Sequence, residues 1–294
     1  MSQDEAEAEY IRVCVENGAR LDGSAPEAKA PAGDGTEYTT LLVDRAANGV
    51  VTAAMNRPDK YNALSMTMYL EIQRVMRETA EDPAARVLVL TGTGPWYSSG
   101  NDLSNFTENM PAEGPAKMAA DAAELLHGYV GSFIDFPLPL VAAVNGPAVG
   151  IPVTTLGLCD FVFASHNATM ATPFTRLGQS PEACSSMVFP DIMGSARANE
   201  LLLEGRKITA SEAREWGLVN SVFDMADFKA SVAERVDALA ALPPKSMRLS
   251  KALVRDRVRA ELHRVNKAEC DLLQERWISD ECMGAIMEFM ARKK

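Results

Sequence analysis

Residues 87–106 read VLVLTGTGPWYSSGNDLSNF, and this stretch organises the rest of the chain. Its first part, Val87 to Leu90, is a run of β-forming residues without polar alternation, which predicts a strand buried on both faces. Gly92, Gly94 and Pro95 end that strand. The Ser, Gly, Asn and Asp residues that follow favour a tight turn whose free N–H groups can hold a phosphate or an enolate oxygen. A short glycine turn alone is equally typical of an ordinary strand-to-turn connection.

A second stretch, residues 140–155, repeats this pattern and reads LVAAVNGPAVGIPVTT. A buried strand again runs into a glycine turn, and Pro152 marks the start of a helix. Two such turns that leave neighbouring parallel strands can present two converging N–H donors. This is the geometry of an oxyanion hole.

The residues before the first stretch predict a hairpin followed by a helix. Strands over Thr39–Val43 and Val50–Met55 flank Asn48 and Gly49, a pair typical of hairpin turns. Ser65 caps a helix predicted over Met66–Ala80. Strand, helix and strand then form a parallel crossover, which is right-handed in nearly all proteins.

The residues between the two turns, and those after the second, predict further elements of an α/β fold. A helix is expected over Met118–Phe136, with strands over Asp160–Ala164 and Ala168–Thr172. The polar segment 107–117 is either a mobile lid or a solvated loop. Ser180 and Pro181 predict a helix start that places Glu182 in the first turn, where an acid can simply complement the helix dipole.

The two ends of the chain differ in character. A short helical pattern and an Ala/Pro/Gly/Asp-rich tract predict that residues 1–36 form a flexible appendage and linker, either the end of a trimmed module or a capping helix. Residues 37–230 are predicted as the core domain and residues 231–294 as a helical C-terminal region. Beyond residue 189 the helices are predicted over Ala196–Glu204, Thr209–Trp216, Met225–Leu242, Lys245–Val265 and Ala268–Lys294.

Composition excludes several classes of function. Hydrophobic residues make up 47% of the 294 and charged residues 23%, as in an ordinary globular protein. The net charge of −11 argues against nucleic-acid binding, and an anionic ligand would need a local basic patch. Five scattered cysteines without ligand spacing predict reduced thiols and no metal site. No segment is long and apolar enough for a membrane span, and the acidic start resembles neither a signal nor a transit peptide.

Several motifs together resemble the crotonase superfamily, also called the enoyl-CoA hydratase/isomerase family. They are NRP at 56–58, NAL at 62–64, SGNDL at 99–103, VNGPAVG at 144–150 and ITASEA at 208–213. The likeness covers the chain from Tyr38 to Arg292. It implies an α/β fold, a spiral of β-β-α turns, followed by a helical C-terminal region that mediates trimer formation. A homotrimer would bury apolar residues of that region, such as Leu272, Leu273, Trp277, Ile286 and Phe289.

Within the superfamily the likeness is strongest to the peroxisomal Δ3,Δ2-enoyl-CoA isomerases, through YSSGNDL at 97–103, FIDFP at 133–137 and LGQSPE at 177–182. That branch implies an isomerase of fatty-acid β-oxidation that converts 3-enoyl-CoA thioesters to 2-trans-enoyl-CoA. Glu182 matches its base, and the N–H groups of Asn101 and Ile151 match its oxyanion hole. The residues implied in substrate binding are Lys60, Ala63, Ser99, Gly100, Asn101, Asp102, Leu103 and Gly150. No cofactor is implied, because CoA is part of the substrate.

Some residues of this sequence differ from the family pattern, and these differences favour certain activities of the family over others. Hydratases of the family use two glutamates, and the corresponding places here hold Thr154 and Phe174, which argues against hydration. Family members that act as chromatin corepressors tend to lose the acid at 182, so its presence favours an enzyme. The alternatives are a non-catalytic acyl-CoA-binding scaffold of the same fold and, less favoured, an enoyl-CoA hydratase. A base at Glu182 needs an apolar setting, which Phe174, Met187 and Phe189 are expected to supply.

The resemblance also bears on charge and compartment. We expect Lys60, the turn at 99–103 and the basic tail, residues 292–294, to gather the positive charge that a CoA thioester requires. A peroxisomal location is implied by the resemblance, although the tail does not form a peroxisomal targeting signal. Mitochondrial and cytoplasmic locations therefore stay open.

Overall fold

The computed structural model describes residues 38–106 and 111–291. The predicted N-terminal helix and linker, residues 107–110 of the predicted lid and the basic tail lie outside the described residues. The strands are β1 Leu41–Arg45, β2 Val50–Met55, β3 Val87–Gly92, β4 Leu140–Val144, β5 Ala148–Val149, β6 Phe161–Ser165, β7 Thr169–Ala171, β8 Ile208–Thr209 and β9 Ser221–Phe223. The helices are α1 Met66–Glu81, α2 Pro115–Asp135, α3 Ile151–Thr154, α4 Ser185–Met193, α5 Ser195–Leu202, α6 Ala210–Glu215, α7 Phe228–Ala240, α8 Pro244–Trp277 and α9 Asp280–Ala291.

Six of the strands form one sheet in the order β1-β2-β3-β4-β6-β9. The hairpin pair β1–β2 is antiparallel and the other pairs are parallel. The central strands β3 and β4 are buried on both faces, as their uninterrupted apolar sequences predict. A smaller sheet of three strands, in the order β5-β7-β8, lies beyond the carboxyl end of β4.

Alternate residues of β3 and β4 face two separate layers of the core. Val87, Val89 and Val141 belong to a cluster with residues of α7 on one face. Leu88 and Leu140 belong to the larger cluster on the other face, which includes residues of α1, α2 and α8. Because side chains alternate along a strand, a continuous apolar strand of this kind needs a layer on each side.

The hairpin and the parallel pairing of β2 with β3 at the start of the core confirm the prediction. Gly49 has a positive φ of 87° in the turn between β1 and β2. Ser65 caps α1 by accepting a hydrogen bond from the N–H of Met68 at 3.3 Å. β1 begins two residues later than predicted, and α2 begins at Pro115 instead of Met118.

The C-terminal helices depart from the prediction at residues 266–267. A helix break was expected there, but α8 runs without interruption over 34 residues. Asn266 does not end the helix, because its side chain is buried and its Nδ2 donates to the carbonyl of His127 on α2 at 3.0 Å. The chain instead breaks after Trp277, before α9. The predicted boundary at residue 230 falls within α7.

Other predictions concerned membranes, metals and thiols. In the described ranges, no helix combines the length and apolarity needed to cross a bilayer. The same residues contain no group of three or more His, Cys, Asp or Glu side chains placed to hold a metal ion. Cys159, Cys184, Cys270 and Cys282 are free thiols.

Candidate active site

Two asparagine side chains hold the turn that follows β3. Asn62 is fully buried, and its Nδ2 donates to the carbonyls of Thr93 at 2.9 Å and Trp96 at 2.8 Å. Asn145, at the end of β4, accepts from the N–H of Gly92 at 3.0 Å and donates to the carbonyl of Gly94 at 3.0 Å. Buried amides that pair with both donors and acceptors fix the path of a loop.

The first candidate donor is the N–H of Asn101. Its neighbours pair with Leu64: the N–H of Leu64 donates to the carbonyl of Gly100 at 2.8 Å, and the N–H of Asp102 donates to the carbonyl of Leu64 at 3.0 Å. Peptide groups alternate in direction along extended backbone, so the N–H of Asn101 points away from Leu64. Within the described residues it has no hydrogen-bond acceptor.

The second candidate donor is the N–H of Ile151. The two preceding N–H groups are used, because Val149 donates to the carbonyl of Ser98 at 3.0 Å and Gly150 donates to the carbonyl of Ala171 at 2.9 Å. Ile151 is the first residue of α3, where an N–H has no acceptor within the helix. In the part of the chain that the structure describes, it has no other acceptor either.

Contact between the two turns brings these donors together. Gly100 has φ +92°, and a Cβ added there would lie 2.7 Å from the carbonyl oxygen of Val149. Only glycine therefore allows both this conformation and this close approach. Asn101 and Ile151 follow this contact by one and two residues. The turn that carries the N–H of Asn101 therefore lies against the turn that carries the N–H of Ile151.

A cavity of about 190 Å³ joins Asn101 and Glu182. Its wall is mostly apolar, and the residues that line it are Met66, Tyr69, Asn101, Asn105, Pro111, Met118, Ala119, Asp121, Ala122, Leu125, Leu126, Gln179, Glu182 and Trp277. Ile151 is buried and is not among the residues that line the cavity. An apolar pocket with few polar groups is typical of a ligand site.

Glu182 does not lie in the first turn of a helix, contrary to prediction. α4 begins three residues later, at Ser185, and its N-cap is Cys184. Ala183 and Cys184 adopt left-handed conformations with φ of 56° and 59°, which residues other than glycine rarely adopt. The explanation of Glu182 as a helix-dipole partner therefore fails.

Glu182 is half-buried as a residue, and its carboxyl forms no hydrogen bond or ion pair with the described residues. Burial, together with the smaller effect of the nearby negative charge of Glu269, raises the pKa of Glu182 to about 8. An acid whose pKa lies near neutrality can both accept and return a proton. Strongly shifted acids of this kind are typical of catalytic sites.

The other predicted binding residues surround the first turn. Lys60 ends a 3-10 turn, Pro58–Lys60, and is half-buried, whereas Ala63 is buried. Ser99 pairs with that segment, since its N–H donates to the carbonyl of Tyr61 at 2.9 Å. Gly150 has φ +68° before α3, and Leu103 starts a 3-10 turn over Leu103–Phe106.

Asp102 has a partner that the sequence reasoning missed. Its Oδ2 accepts a hydrogen bond from Arg57 at 2.8 Å, and Arg57 also donates to the carbonyl of Ala63 at 2.6 Å. Burial alone would raise the pKa of Asp102, but the hydrogen bonds from Arg57 and Ser104 bring it below its ordinary value. This ion pair joins the loop before α1 to the donor turn.

The apolar setting of Glu182 differs from the one predicted. Phe174, Met187 and Phe189 are not among the residues that line the cavity, and Met187 lines a separate groove. Tyr69 and Leu126 were visible only as apolar positions of predicted helices, and Trp277 only as a residue of the C-terminal region. No local signal in the sequence shows that they meet.

The fold and the contact between the two glycine turns define the class of protein. The family model described as enoyl-CoA hydratase/isomerase matches residues 45–294, and the chain belongs to this family. A crystal structure of an enoyl-CoA hydratase/isomerase from Pseudoalteromonas atlantica has a TM-score of 0.79 at 32% identity, covering 87% of this chain and 98% of that one. The predicted crotonase-like fold is confirmed.

Two curated relatives are more specific. Enoyl-CoA delta isomerase 2 of Homo sapiens is 46% identical over 293 residues, which cover 100% of this chain and 74% of the relative. The peroxisomal enoyl-CoA delta isomerase 3 of Mus musculus is 45% identical over 246 residues, which cover 84% of this chain and 77% of the relative. The likeness to isomerases predicted from the sequence is confirmed.

Proposed function

We propose that this protein is a Δ3,Δ2-enoyl-CoA isomerase of fatty-acid β-oxidation. The observation that carries the proposal is one acid, Glu182, whose carboxyl has no hydrogen-bond partner among the described residues, in an apolar cavity that also reaches the donor turn at Asn101. The other carboxyl on the cavity wall is Asp121, which is exposed and paired with Lys117. The two relatives described above carry the same activity in their names.

The proposed reaction moves one proton within the substrate. Glu182 removes a proton from C2 of the 3-enoyl thioester, and the electrons of that C–H bond form a dienolate whose charge lies on the thioester oxygen. The N–H groups of Asn101 and Ile151 hold that oxygen, each contributing about 3 to 4 kcal/mol by comparison with measured oxyanion holes. Glu182 then returns the proton to C4, which leaves the double bond between C2 and C3. The reaction uses no cofactor, and CoA enters as part of the substrate.

The residues at the two hydratase positions support isomerisation over hydration. Thr154 is buried, and its hydroxyl donates to the carbonyl of Ile151 at 3.2 Å. Phe174 is buried and has no group that could activate water. A hydratase needs a second group to activate water, and neither position supplies an acid.

The test is Glu182→Gln, assayed on matched 3-enoyl-CoA and 2-enoyl-CoA substrates. We expect isomerase turnover to fall by at least about 1,000-fold, while acyl-CoA affinity measured by calorimetry changes less than about threefold, because the base acts only in the transition state. Glu204→Gln, at an exposed position, is the matched control. Near-wild-type turnover by folded Glu182→Gln would refute the role of this acid, and wild-type protein that binds acyl-CoA without turnover would indicate a scaffold.

We also propose that the CoA portion is bound beside Lys60. This residue lies in the loop that pairs with the donor turn through Ser99 and Tyr61. A local cation is needed because the protein as a whole carries a charge of −11. Binding should weaken as salt is raised, and Lys60→Ala should lower acyl-CoA affinity about tenfold. Affinity that is independent of both salt and Lys60 would contradict this.

A homotrimer is the proposed assembly, but the supporting residues differ from those first predicted. Leu273, Trp277 and Ile286 are buried within one chain, whereas Leu272 is 47% exposed. The most exposed apolar residues of α8 are Leu253 at 81% and Val254 at 71%. A groove of about 540 Å³ lies beside them and is lined partly by apolar residues, Met187, Val188, Ile192, Val258 and Leu262. Exposed apolar surface of this kind favours subunit contact.

Leu253→Glu together with Val254→Glu tests this assembly. The two charges cannot be buried between subunits without a large desolvation cost, so we expect dissociation to monomers in light scattering. Leu70→Glu, at an exposed position of α1, is the control. A wild-type monomer at micromolar concentration would refute the trimer.

The proposed compartment is the peroxisome, and the support is the peroxisomal name of the Mus musculus relative. Microscopy of the full-length protein, tagged at the N-terminus so that the C-terminus is free, should show overlap with a peroxisomal marker. Mitochondrial or diffuse signal would contradict it.

A further inference from the structure

The carboxylate of Glu269, on α8, lies against the backbone that directly follows Glu182. Its Oε2 accepts a hydrogen bond from the N–H of Cys184 at 2.7 Å. Its Oε1 accepts one from the N–H of Ser186 at 3.0 Å and one from the hydroxyl of Ser186 at 2.5 Å. Glu269 is only 7% exposed, and no Lys or Arg among the described residues forms an ion pair with it.

These bonds replace a cap that α4 lacks. No side chain of its own N-cap, Cys184, caps the helix. Glu269 supplies the acceptors from 85 residues further along the chain. A carboxylate at this end also complements the helix dipole.

The segment held in this way is strained. Ala183 and Cys184 lie between Glu182 and the helix, and both have positive φ. Residues other than glycine keep such conformations only when their surroundings fix them, and such strain is concentrated at functional sites. The bonds to Glu269 are attached at the second and fourth residues after the proposed base.

Given the proposed isomerase reaction, we propose that Glu269 is a positioning residue for Glu182. It fixes residues 183–186, so that the carboxyl of Glu182 keeps one position in the cavity from which it can reach both C2 and C4. One acid that transfers a proton at two carbons must keep a fixed position relative to both, because a small displacement of a reacting group lowers the rate.

Glu269 also acts on Glu182 through its charge. Among residues 38–106 and 111–291, the titratable groups that face Glu182 are Tyr69 on α1, Tyr129 on α2, and Glu269 and Cys270 on α8. Burial raises the pKa of both tyrosines and of the Cys270 thiol, so these groups are neutral near pH 7. Asp121 on α2 also reaches the cavity, paired with Lys117. Burial raises the pKa of Glu269 itself, and the hydrogen bonds from Ser186 and Cys184 oppose that rise. Above its pKa Glu269 is charged, so loss of that charge lowers the pKa of Glu182.

The experiment compares Glu269→Gln with wild type in steady-state kinetics from pH 5.5 to 9.5. The amide keeps the size of the side chain but turns a donor toward the N–H of Cys184 or Ser186. We expect kcat to fall about 10- to 100-fold with KM changed less than about twofold. The acid limb of kcat/KM should move to lower pH, which a purely structural residue would not cause. Glu275→Gln, an exposed position of the same helix, should leave both readouts unchanged.

Two further variants separate position from charge. Glu269→Asp keeps the charge on a shorter side chain, so kcat should fall while the acid limb stays near its wild-type pH. Ser186→Ala removes one hydrogen-bond donor to Glu269 at an exposed position. We expect kcat to fall about threefold, while the acid limb of the kcat/KM profile does not move to lower pH.

The measurements distinguish a failure of the positioning role of Glu269 from a failure of the proposed function. If wild type is inactive or Glu182→Gln is active, the proposed function fails. If those results hold but folded Glu269→Gln retains wild-type kcat and an unmoved acid limb, the positioning role is refuted. Should Glu269→Gln not fold by circular dichroism, Ser186→Ala and Glu269→Asp decide, and unchanged kcat in both would refute it.

Discussion

Glu71 and Glu182 are two acids in contrasting surroundings. Glu71, on α1, is 7% exposed and accepts hydrogen bonds from the N–H and hydroxyl groups of both Thr39 and Thr40, at 2.6 to 2.9 Å. Burial alone would raise the pKa of Glu71, but these bonds bring it below its ordinary value. Glu182 has no such bonds to the described residues, and burial of its carboxyl raises its pKa to about 8.

The comparison shows that burial alone does not decide the state of an acid. Hydrogen bonds from fixed donors stabilise the charged form of Glu71. The same bonds hold Thr39 and Thr40, just before β1, against α1. Glu182 has an apolar wall instead of donors, so its charged form is disfavoured and its carboxyl stays available to a substrate. One acid supports the fold and the other is suited to chemistry.

The largest change in free energy is expected for the unfolding of Glu71→Gln. The amide cannot accept all the hydrogen bonds that Glu71 accepts, and its NH₂ group would face backbone donors. We expect a loss of about 3 kcal/mol in the free energy of unfolding at pH 7, measured by urea denaturation, with turnover per folded molecule unchanged. Because the pKa of Glu71 is lowered in the folded state, its carboxylate stabilises the fold at neutral pH. This stabilisation is lost as pH falls through that pKa. Glu81→Gln, exposed at the end of α1, is the control, and equal stability of the two variants would contradict the comparison.

The second-largest change in free energy is expected in the activation barrier of the proposed reaction when pH is lowered. Only the carboxylate form of Glu182 can remove a proton, and its pKa is about 8. Activity should therefore rise with pH, so kcat/KM at pH 6 should be about 100-fold below its plateau, a difference of about 2.7 kcal/mol in activation free energy. Kinetics of wild-type protein over this range provide the measurement. A flat profile from pH 6 to 9 would show that Glu182 has an ordinary pKa or is not the base.

A smaller effect is expected on the stability of Glu182→Gln. The folded-state pKa of Glu182, about 8, lies above its ordinary value of 4.5, so the folded state binds the extra proton between these limits. Wild type therefore loses stability as pH rises from 4.5 to 8, and the amide variant avoids this loss. The full shift from 4.5 to about 8 corresponds to roughly 5 kcal/mol. Because Glu182 is half-buried and solvent screens its charge, we expect the variant to be more stable by about 2 kcal/mol at pH 8.5, with the difference shrinking toward pH 5. Urea denaturation at both pH values measures this, and a constant difference would argue against the raised pKa.

Prediction from the sequence succeeded where the signal was local. The buried strands β3 and β4, the Asn48–Gly49 hairpin, and the Ser65 cap each depend on a few adjacent residues. It failed where a distant side chain changed the local preference. Asn266 does not end α8, because α2 supplies an acceptor.

Glu182 shows the same limit at the site. The pattern Ser180-Pro181 predicts a helix start, but α4 begins at Ser185 because Glu269 caps it there. A capping interaction between residues 85 positions apart has no sequence signature.

The sequence by itself determined the two glycine turns and the family, because these depend on residue type at short spacing. Only the tertiary structure decided that Gly100 contacts Val149, that Tyr69 and Trp277 enclose the acid, and that Glu269 holds the segment after it. The physical reason is that burial and hydrogen bonding, which set the pKa and position of Glu182, arise from groups that the chain brings together only when it is folded.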